Sequence, residues 1–371
     1  MNDRQTIIVT GANGFIGKNL MLRLGEAGHF KALPLRRDDD EVTWHDAIAR
    51  ADGIIHLAGV NRPPEPSGFG DNLTATDRLA KAIRIAGKPI PVIYASSSRA
   101  AEGTPYGESK RACEDVLRTL VEQTGSPVHI FRLPNVFGKW CRPNYNSAVA
   151  TFCYNIARGL PITVHDHEAS LSLVYIDDVL DAFIAVLDGP STPPRYPEVR
   201  PVYQTTVGNV ADCISGFRAD RENDRIADVG TGLTRALYAT YISYLMKEQF
   251  AYPLVAHRDP RGTFAEMLKT RVAGQFSYFN ALPGVTRGGH YHHTKTEKFL
   301  VVYGQALFRF RHMSTGETHE VRTSAETPMV VETIPGWTHD ITNVGDGVLV
   351  SLLWANEIFD RDRPDTIAER V

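Results

Sequence analysis

Up to about residue 245 the chain alternates short apolar, β-branched runs with amphipathic stretches, and from about residue 255 only short strand-like runs remain. TIIVT, GIIHLAG, PVIYASSS and VHIFRLP are separated by helical segments such as NLMLRLGEAG and KRACEDVLRTLVEQTG. That alternation builds a parallel, doubly wound sheet. The later runs, GQFSYFNAL, KFLVVYGQALFRFR, PMVVETIP and VLVSLLWAN, are divided by Gly, Asn, Asp and Thr turns, the pattern of an antiparallel barrel or sandwich. The expected architecture is a Rossmann-type α/β domain over 1–248 followed by an all-β domain over 249–371. A chain of 371 residues has room for both cores.

The formal net charge of −3 leaves no overall basic field for nucleic acid or anionic lipid, so a small-molecule partner is expected. MNDRQTIIVT lacks the basic stretch and long apolar run of a signal peptide. No apolar run approaches the ~20 residues a bilayer requires. Cys113, Cys141, Cys153 and Cys213 show no CxxC spacing and read as reduced thiols. A cytoplasmic protein with no membrane association is the expectation.

TGANGFIG stands where the first strand ends and the first helix opens. Gly11, Gly14 and Gly17 at that spacing let the main chain approach a pyrophosphate at the positive helix end. The second strand, FKALPL, runs into Arg36 and Arg37 where NAD enzymes usually place a carboxylate on the ribose diol. Two guanidiniums suit a 2′-phosphate, which favours NADPH over NADH.

YGESK puts Tyr106 and Lys110 about one helical turn apart on one face. A nearby ammonium stabilises tyrosinate and suits the phenol to proton exchange with a carbonyl oxygen. ASSS, at 95–98, ends an apolar strand just upstream and offers a hydroxyl to hold that oxygen. Together TGANGFIG, GIIHLAG, SSS, YGESK and RLPNVFG resemble the extended short-chain dehydrogenase/reductases, from residue 6 to about 245. The resemblance implies that Gly11, Asn13, Gly14, Phe15, Ile16, Gly17, Arg36, Arg37, Leu57 and Ala58 bind the cofactor. It also implies that Ser98 orients the carbonyl, Tyr106 donates the proton, and Lys110 positions ribose and tunes Tyr106. Ser97 is the alternative to Ser98, because three adjacent serines leave the register open. Asn135, Asn144 and Asn146 fall where extended members bind the sugar nucleotide. HDH, at His165 to His167, has no further ligand at suitable spacing and reads as a polar loop.

The later part contains GGHYHHTKTEKFLVVYG, 288–304. Residues two apart in a strand face the same side, so His290 and His292 can point into a barrel together, and Glu297 can join them from the same hairpin. His339, in GWTHDITN, completes three imidazoles and one carboxylate. This set suits zinc, iron or manganese, with zinc the expectation. His293 falls on the opposite face. The spacing of Gly284, His290, His292, Glu297 and Gly304 resembles the cupin pattern, which implies a jelly roll. His339 and Asn343 match its second motif, where Pro335 adjoins Gly336 in place of the usual PxG. DPRGTFAE, 259–266, is similar to a stretch of nucleotide-sugar 3,5-epimerases, which makes Arg261 and Glu266 candidates for holding nucleotide or sugar.

GKWCRPNYNS, ATFCYNIARG, HTKTEKFLVV and LLWANEIFD extend the likeness over nearly the whole chain, which resembles the bifunctional CapF-type enzymes of capsule and O-antigen synthesis. That resemblance implies an oxidoreductase and isomerase in one chain. Its cupin would epimerise C3 of a UDP-2-acetamido-2,6-dideoxy-4-keto-hexose with a divalent metal, and its first domain would reduce the C4 ketone with NADPH. The product implied is UDP-2-acetamido-2,6-dideoxy-β-L-talose, precursor of UDP-N-acetyl-L-fucosamine. A reductase whose cupin only binds sugar or builds a dimer is the alternative. Tyr291, His293 and Lys298 are candidate bases by proximity in sequence, and family analogy implies a homodimer.

Overall fold

The computed structural model describes residues 4–189, 195–223, 225–254, 256–259, 262–265, 268, 270, 274–357, 360 and 362–371. The chain divides into two compact units, 1–147 with 171–205, and 148–170 with 206–371. Residues 148–170 and 206–248, expected with the first domain, therefore group with the barrel.

In the first unit β1 (Gln5–Thr10), α1 (Phe15–Ala27), β2 (Phe30–Leu35), α2 (Glu41–Ala49), β3 (Gly53–His56), α3 (Gly70–Ala86), β4 (Val92–Ser97), α4 (Pro105–Thr124) and β5 (Val128–Leu133) follow in order. The five strands are parallel in the order β2-β1-β3-β4-β5. Their β-branched runs are buried on both faces, as a covered parallel sheet requires. Ile8, Ile54, Val92 and Ile130 pack with Trp44, Ile48, Leu79, Ile83 and Leu117 from α2, α3 and α4. The opposite face receives α1 and a later helix, α6 below, whose Phe183 meets Phe131 edge-on at 4.8 Å. Strand order reverses at β1 and β3, so a crevice opens beyond their carboxyl ends.

Beyond β5 come β6 (Asn135–Phe137), α5 (Ala148–Ala157), β7 (Ser170–Tyr175), α6 (Ile176–Asp188), β8 (Tyr203–Thr206), α7 (Val207–Glu222) and α8 (Gly232–Ile242). Strands β6, β7 and β8 form a small sheet. Among the described residues no helix is long and apolar enough to cross a membrane.

The second unit is built on β9 (Ala251–Pro253), β10 (Ala256–Asp259), β11 (Gly262–Ala265), β12 (Gln275–Ala281), β13 (Thr286–Tyr291), β14 (Glu297–Tyr303), β15 (Gln305–His312), β16 (Thr318–Ser324), β17 (Met329–Glu332), β18 (Trp337–Asn343), β19 (Leu349–Ala355) and β20 (Ile367–Ala368). Two five-stranded sheets, β12-β19-β14-β17-β9 and β16-β15-β18-β13-β20, make the cupin-like jelly roll. Phe299 and Phe308, one from each sheet, meet edge-on at 5.5 Å in its core. The unusual Pro335-Gly336 pair forms a tight turn. Trp337 N–H donates to the Ile334 carbonyl at 2.9 Å, and Gly336 sits at φ 82°, the type II geometry that Pro-Gly favours.

Candidate active sites

The glycine-rich loop closes the end of β1 against the end of β3. A side chain on Gly11, at φ 71°, would lie 2.7 Å from the Ala58 nitrogen, and one on Gly17 would lie 2.2 Å from the Gly11 oxygen. Leu57 and Ala58 donate their amides to the Thr10 carbonyl and hydroxyl at 3.2 and 3.3 Å. Gly14 caps α1 with no side-chain bond, no acidic residue stands in the first turn, and Phe15 and Ile16 open the helix. A helix end of this kind attracts an anion. Asn13 is exposed on the same loop.

Arg36 and Arg37 are exposed just past β2. Arg37 pairs with Asp71 of α3 at 3.0 Å. Their backbone is held by two residues that sequence reading passed over. Trp44 Nε1 donates to the Arg36 carbonyl at 3.0 Å, and Arg78 donates to the carbonyls of Arg37 and Asp39 at 2.8 and 2.6 Å. Arg78 lies over the Trp44 ring at 4.3 Å and bonds Glu41 at 2.8 Å. Two cations on a fixed loop fit the phosphate of NADPH.

Thr104 caps α4 by accepting from Gly107 N–H at 3.1 Å, which sets Tyr106 in the first turn. A side chain on Gly107 would lie 2.2 Å from the Arg99 oxygen, so that residue type lets the turn close on the serine segment. Ser97 stands close enough to Tyr106 to lower its pKa, and its Oγ accepts from Arg99 N–H at 3.2 Å. Ser98 is exposed at the start of the following turn, while Ser97, the alternative, is the serine that bears on the Tyr106 pKa. Ser96 is turned inward, donating to buried Glu114 at 2.6 Å, and this fixes the register. Burial raises the Tyr106 pKa, opposed by Ser97 and Arg99. The Lys110 ammonium donates to the Ala95 carbonyl at 2.9 Å and lies 4.9 Å from the centre of the Tyr94 ring. Burial pushes Lys110 down to about 8.

Asn72, also unnoticed in the sequence, braces this site. It accepts from Val60 N–H at 2.5 Å and donates to the Val60 carbonyl at 3.0 Å and to Ser109 Oγ at 3.1 Å. Asn144 and Asn146 lie exposed in the turn before α5, with Asn144 at φ 52°. Asn135 stands apart on β6, its amide donating to the Ser172 carbonyl at 3.1 Å. Arg261 and Glu266 lie outside the described residues.

In the barrel, His290, His292, Glu297 and His339 converge, one donor atom of each within 4.8 Å of the others. His290 and His339 are cross-strand partners on β13 and β18, while Glu297 opens β14 of the facing sheet. The register shifts between Gly288 and His290, and Gly288 and Gly289 have φ of 93° and 74°. This bulge re-aims His290 toward His339. The glycine pair in GGHYHH was therefore a readable signal whose role the spacing argument missed.

Burial opposes the charge on Glu297, but His292 and His339 outweigh it and hold the carboxyl well below its ordinary range. Burial pushes His290 down to about 3 and lowers His339. Burial lowers the His292 pKa, but Glu297 outweighs that and raises it, so His290 and His339 are the imidazoles that offer neutral lone pairs beside the carboxylate, and His292 does so once its Nε2 proton has left. His339 Nε2 lies 3.5 Å from Glu297 Oε2, and among the described residues neither nitrogen of this buried ring finds a well-formed hydrogen bond, so the set fits a divalent ion such as zinc. Lys298 faces elsewhere: it is ion-paired with Glu332 and donates to the Tyr252 hydroxyl at 3.1 Å. Burial lowers its pKa, but Glu332 and the neighbouring tyrosines outweigh that and raise it far, which removes Lys298 as a base. Tyr291 and His293 form an edge-to-face pair with ring centres 5.6 Å apart, outside the ligand group.

Comparison with known proteins agrees with both halves. Residues 7–199 match the NAD dependent epimerase/dehydratase family, and residues 257–367 match the polysaccharide biosynthesis C-terminal domain. The UDP-2-acetamido-2,6-beta-L-arabino-hexul-4-ose reductase of Pseudomonas aeruginosa is 53% identical over 98% of each chain. The capsular polysaccharide assembling protein CapF of Staphylococcus aureus is 40% identical, covers 100% of each chain and superposes with a TM-score of 0.68. The UDP-N-acetylglucosamine 4-epimerase of Bacillus cereus, 21% identical over 58% of this chain and 82% of its own, shares the fold of the first part with a TM-score of 0.52.

Proposed function

Because this chain belongs to the NAD dependent epimerase/dehydratase family, in the CapF-like form that ends in a polysaccharide biosynthesis domain, we propose that it works on a UDP-2-acetamido-2,6-dideoxy-4-keto-hexose at two sites. The cupin epimerises C3, and the reductase domain then reduces C4 to give UDP-2-acetamido-2,6-dideoxy-β-L-talose, precursor of UDP-N-acetyl-L-fucosamine. The membership makes it a nucleotide-sugar reductase of polysaccharide biosynthesis. The observation that carries the two-site reading is the convergence of His290, His292, Glu297 and His339 in a chain that also sets Ser97 close to Tyr106.

Bound NADPH supplies the hydride for C4. Ser97 holds the ketone oxygen, Tyr106 gives it a proton, and Lys110 braces the main chain behind the serine run through Ala95. Arg36 and Arg37 select the 2′-phosphate, and the glycine loop takes the pyrophosphate. In the barrel a divalent ion held by the four ligands supplies Lewis acidity toward the ketone. There a base of the barrel would take the C3 proton, already acidified by the C4 ketone, and a solvent-derived proton would be delivered to the other face. Reduction removes that ketone and so fixes the new configuration. A homodimer accords with this reading.

The test is proton NMR of the keto sugar in D2O, without NADPH, using metal-loaded and metal-stripped protein. Metal-dependent loss of the C3 proton signal supports the epimerase half, whereas no exchange with loaded protein sinks it. The Pseudomonas relative is named as a reductase alone, which favours a second reading in which the barrel only binds or dimerises. Under that reading His290→Ala leaves product stereochemistry unchanged.

A further inference from the structure

Asp365 is not part of the ligand set, yet it touches the turn that carries it. Its Oδ1 accepts from His293 N–H at 2.9 Å, and its Oδ2 accepts from Thr294 N–H at 2.8 Å, Lys295 N–H at 2.7 Å and the Thr294 hydroxyl at 3.0 Å. Three successive amides thus converge on one carboxylate, in the turn that separates His292 from Glu297. The Asp365 carbonyl accepts from His292 Nδ1 at 2.6 Å. A carbonyl can only accept, so Nδ1 carries a hydrogen, which leaves Nε2 as the nitrogen that can take an ion. Without an ion that Nε2 donates to Glu297 Oε2 at 3.2 Å.

The backbone of Asp365 is at φ 36°, a left-handed value that a residue with a side chain keeps only when its surroundings hold it. Strand β20 follows directly and pairs with β13, Ala368 opposite His290 and Ile367 opposite Tyr291. Glu369 N–H donates to the Gly289 carbonyl at 2.8 Å, and the Thr338 hydroxyl donates to the Glu369 carbonyl at 2.7 Å. The segment is therefore laced to both strands that bear histidine ligands.

We propose that Asp365 is a positioning residue for the metal centre, its carboxylate setting the His293–Lys295 turn and its carbonyl setting the His292 tautomer. The inference rests on the reading of the barrel as a metal site. Partners of this kind, one bond removed from the ion, change metal affinity by roughly 10- to 100-fold when lost.

The experiment compares full-length wild type with Asp365→Asn, which tolerates the left-handed backbone but replaces one acceptor oxygen by a donor. Zinc affinity is measured against a chromogenic chelator, the visible spectrum is recorded with cobalt(II) alone, and the metal-free proteins are melted. Weaker zinc binding by the variant, roughly 10- to 100-fold, with an altered cobalt spectrum supports the proposal. Wild-type affinity and spectrum in the variant overturn it, whatever happens to the melt. Should the asparagine variant not fold, Thr294→Val removes one bond to Asp365 and carries the same comparison with a smaller expected loss. Wild type that takes up neither ion overturns the metal reading itself, and this inference falls with it.

Discussion

Lys110, one turn along α4 from Tyr106, gives its ammonium to the Ala95 carbonyl at 2.9 Å, and Ser97 stands close enough to the Tyr106 phenol to lower its pKa. The serine that matters is the one whose predecessor, Ser96, is turned inward to Glu114. Ser97→Ala is expected to lower the rate of NADPH-dependent ketone reduction strongly, and Tyr106→Phe by about 10²–10⁴-fold. Ser98→Ala should stay within a few-fold of wild type. Steady-state NADPH oxidation with the keto sugar decides it, and equal losses in the two serine variants would refute the register.

Arg36 and Arg37 should choose the cofactor. Losing a charge-assisted bond to the 2′-phosphate costs about 1.5–3 kcal/mol. Arg36→Ala with Arg37→Ala is therefore expected to raise the KM for NADPH at least about tenfold while that for NADH barely moves. An equal rise for both cofactors would place the arginines outside the phosphate site.

Glu297→Gln and His290→Ala should bind zinc poorly and lose C3 exchange in D2O. Both should still oxidise NADPH when given the C3-epimerised keto sugar, because the Ser97 and Tyr106 pair is untouched. Loss of both activities with the fold intact, followed by circular dichroism, would contradict two independent centres.

Glu332 offers a pH signature. Burial raises its pKa, but Arg221 and Lys298 outweigh that and leave it below the ordinary value. A carboxylate of this kind contributes its full stability above the ordinary glutamate pKa and loses it as pH falls through the lowered folded value. Glu332→Gln strands buried Lys298, so a loss of about 3–5 kcal/mol near neutrality is expected. Urea melts should show the gap between variant and wild type narrowing in acid. A constant gap would mean that packing alone explains the loss.

Much of this was legible because periodicity and glycine chemistry act locally. The parallel sheet and an antiparallel barrel or sandwich follow from runs within short windows, the jelly roll came with the cupin resemblance, and the four candidate ligands stand together in the barrel. What stayed hidden depends on partners far apart in sequence. Asp365 meets His293 across the barrel, Arg78 reaches back to the Arg37 carbonyl, and Asn72 ties Val60 to Ser109. An isolated Asp, Arg or Asn on a polar segment carries no local mark of such a duty. The choice between Ser97 and Ser98 was undecidable for a related reason: a strand ending in three like residues gives no phase, and Glu114 from another element supplies it.

The cluster around Glu332 also bears on ancestry. A barrel recruited as a free-standing module would be expected to meet its neighbours through a neutral or hydrated surface. Here Glu332 is answered by Lys298 from the barrel and by Arg221 at 2.7 Å, from a helix that precedes the barrel in the chain. Helix α7 and the barrel thus share one buried charge network. A domain shuffle made at the apparent seam near residue 248 would hand on a barrel whose interior carboxylate keeps only one of its two cations, so natural recombinants should inherit α7 together with the barrel.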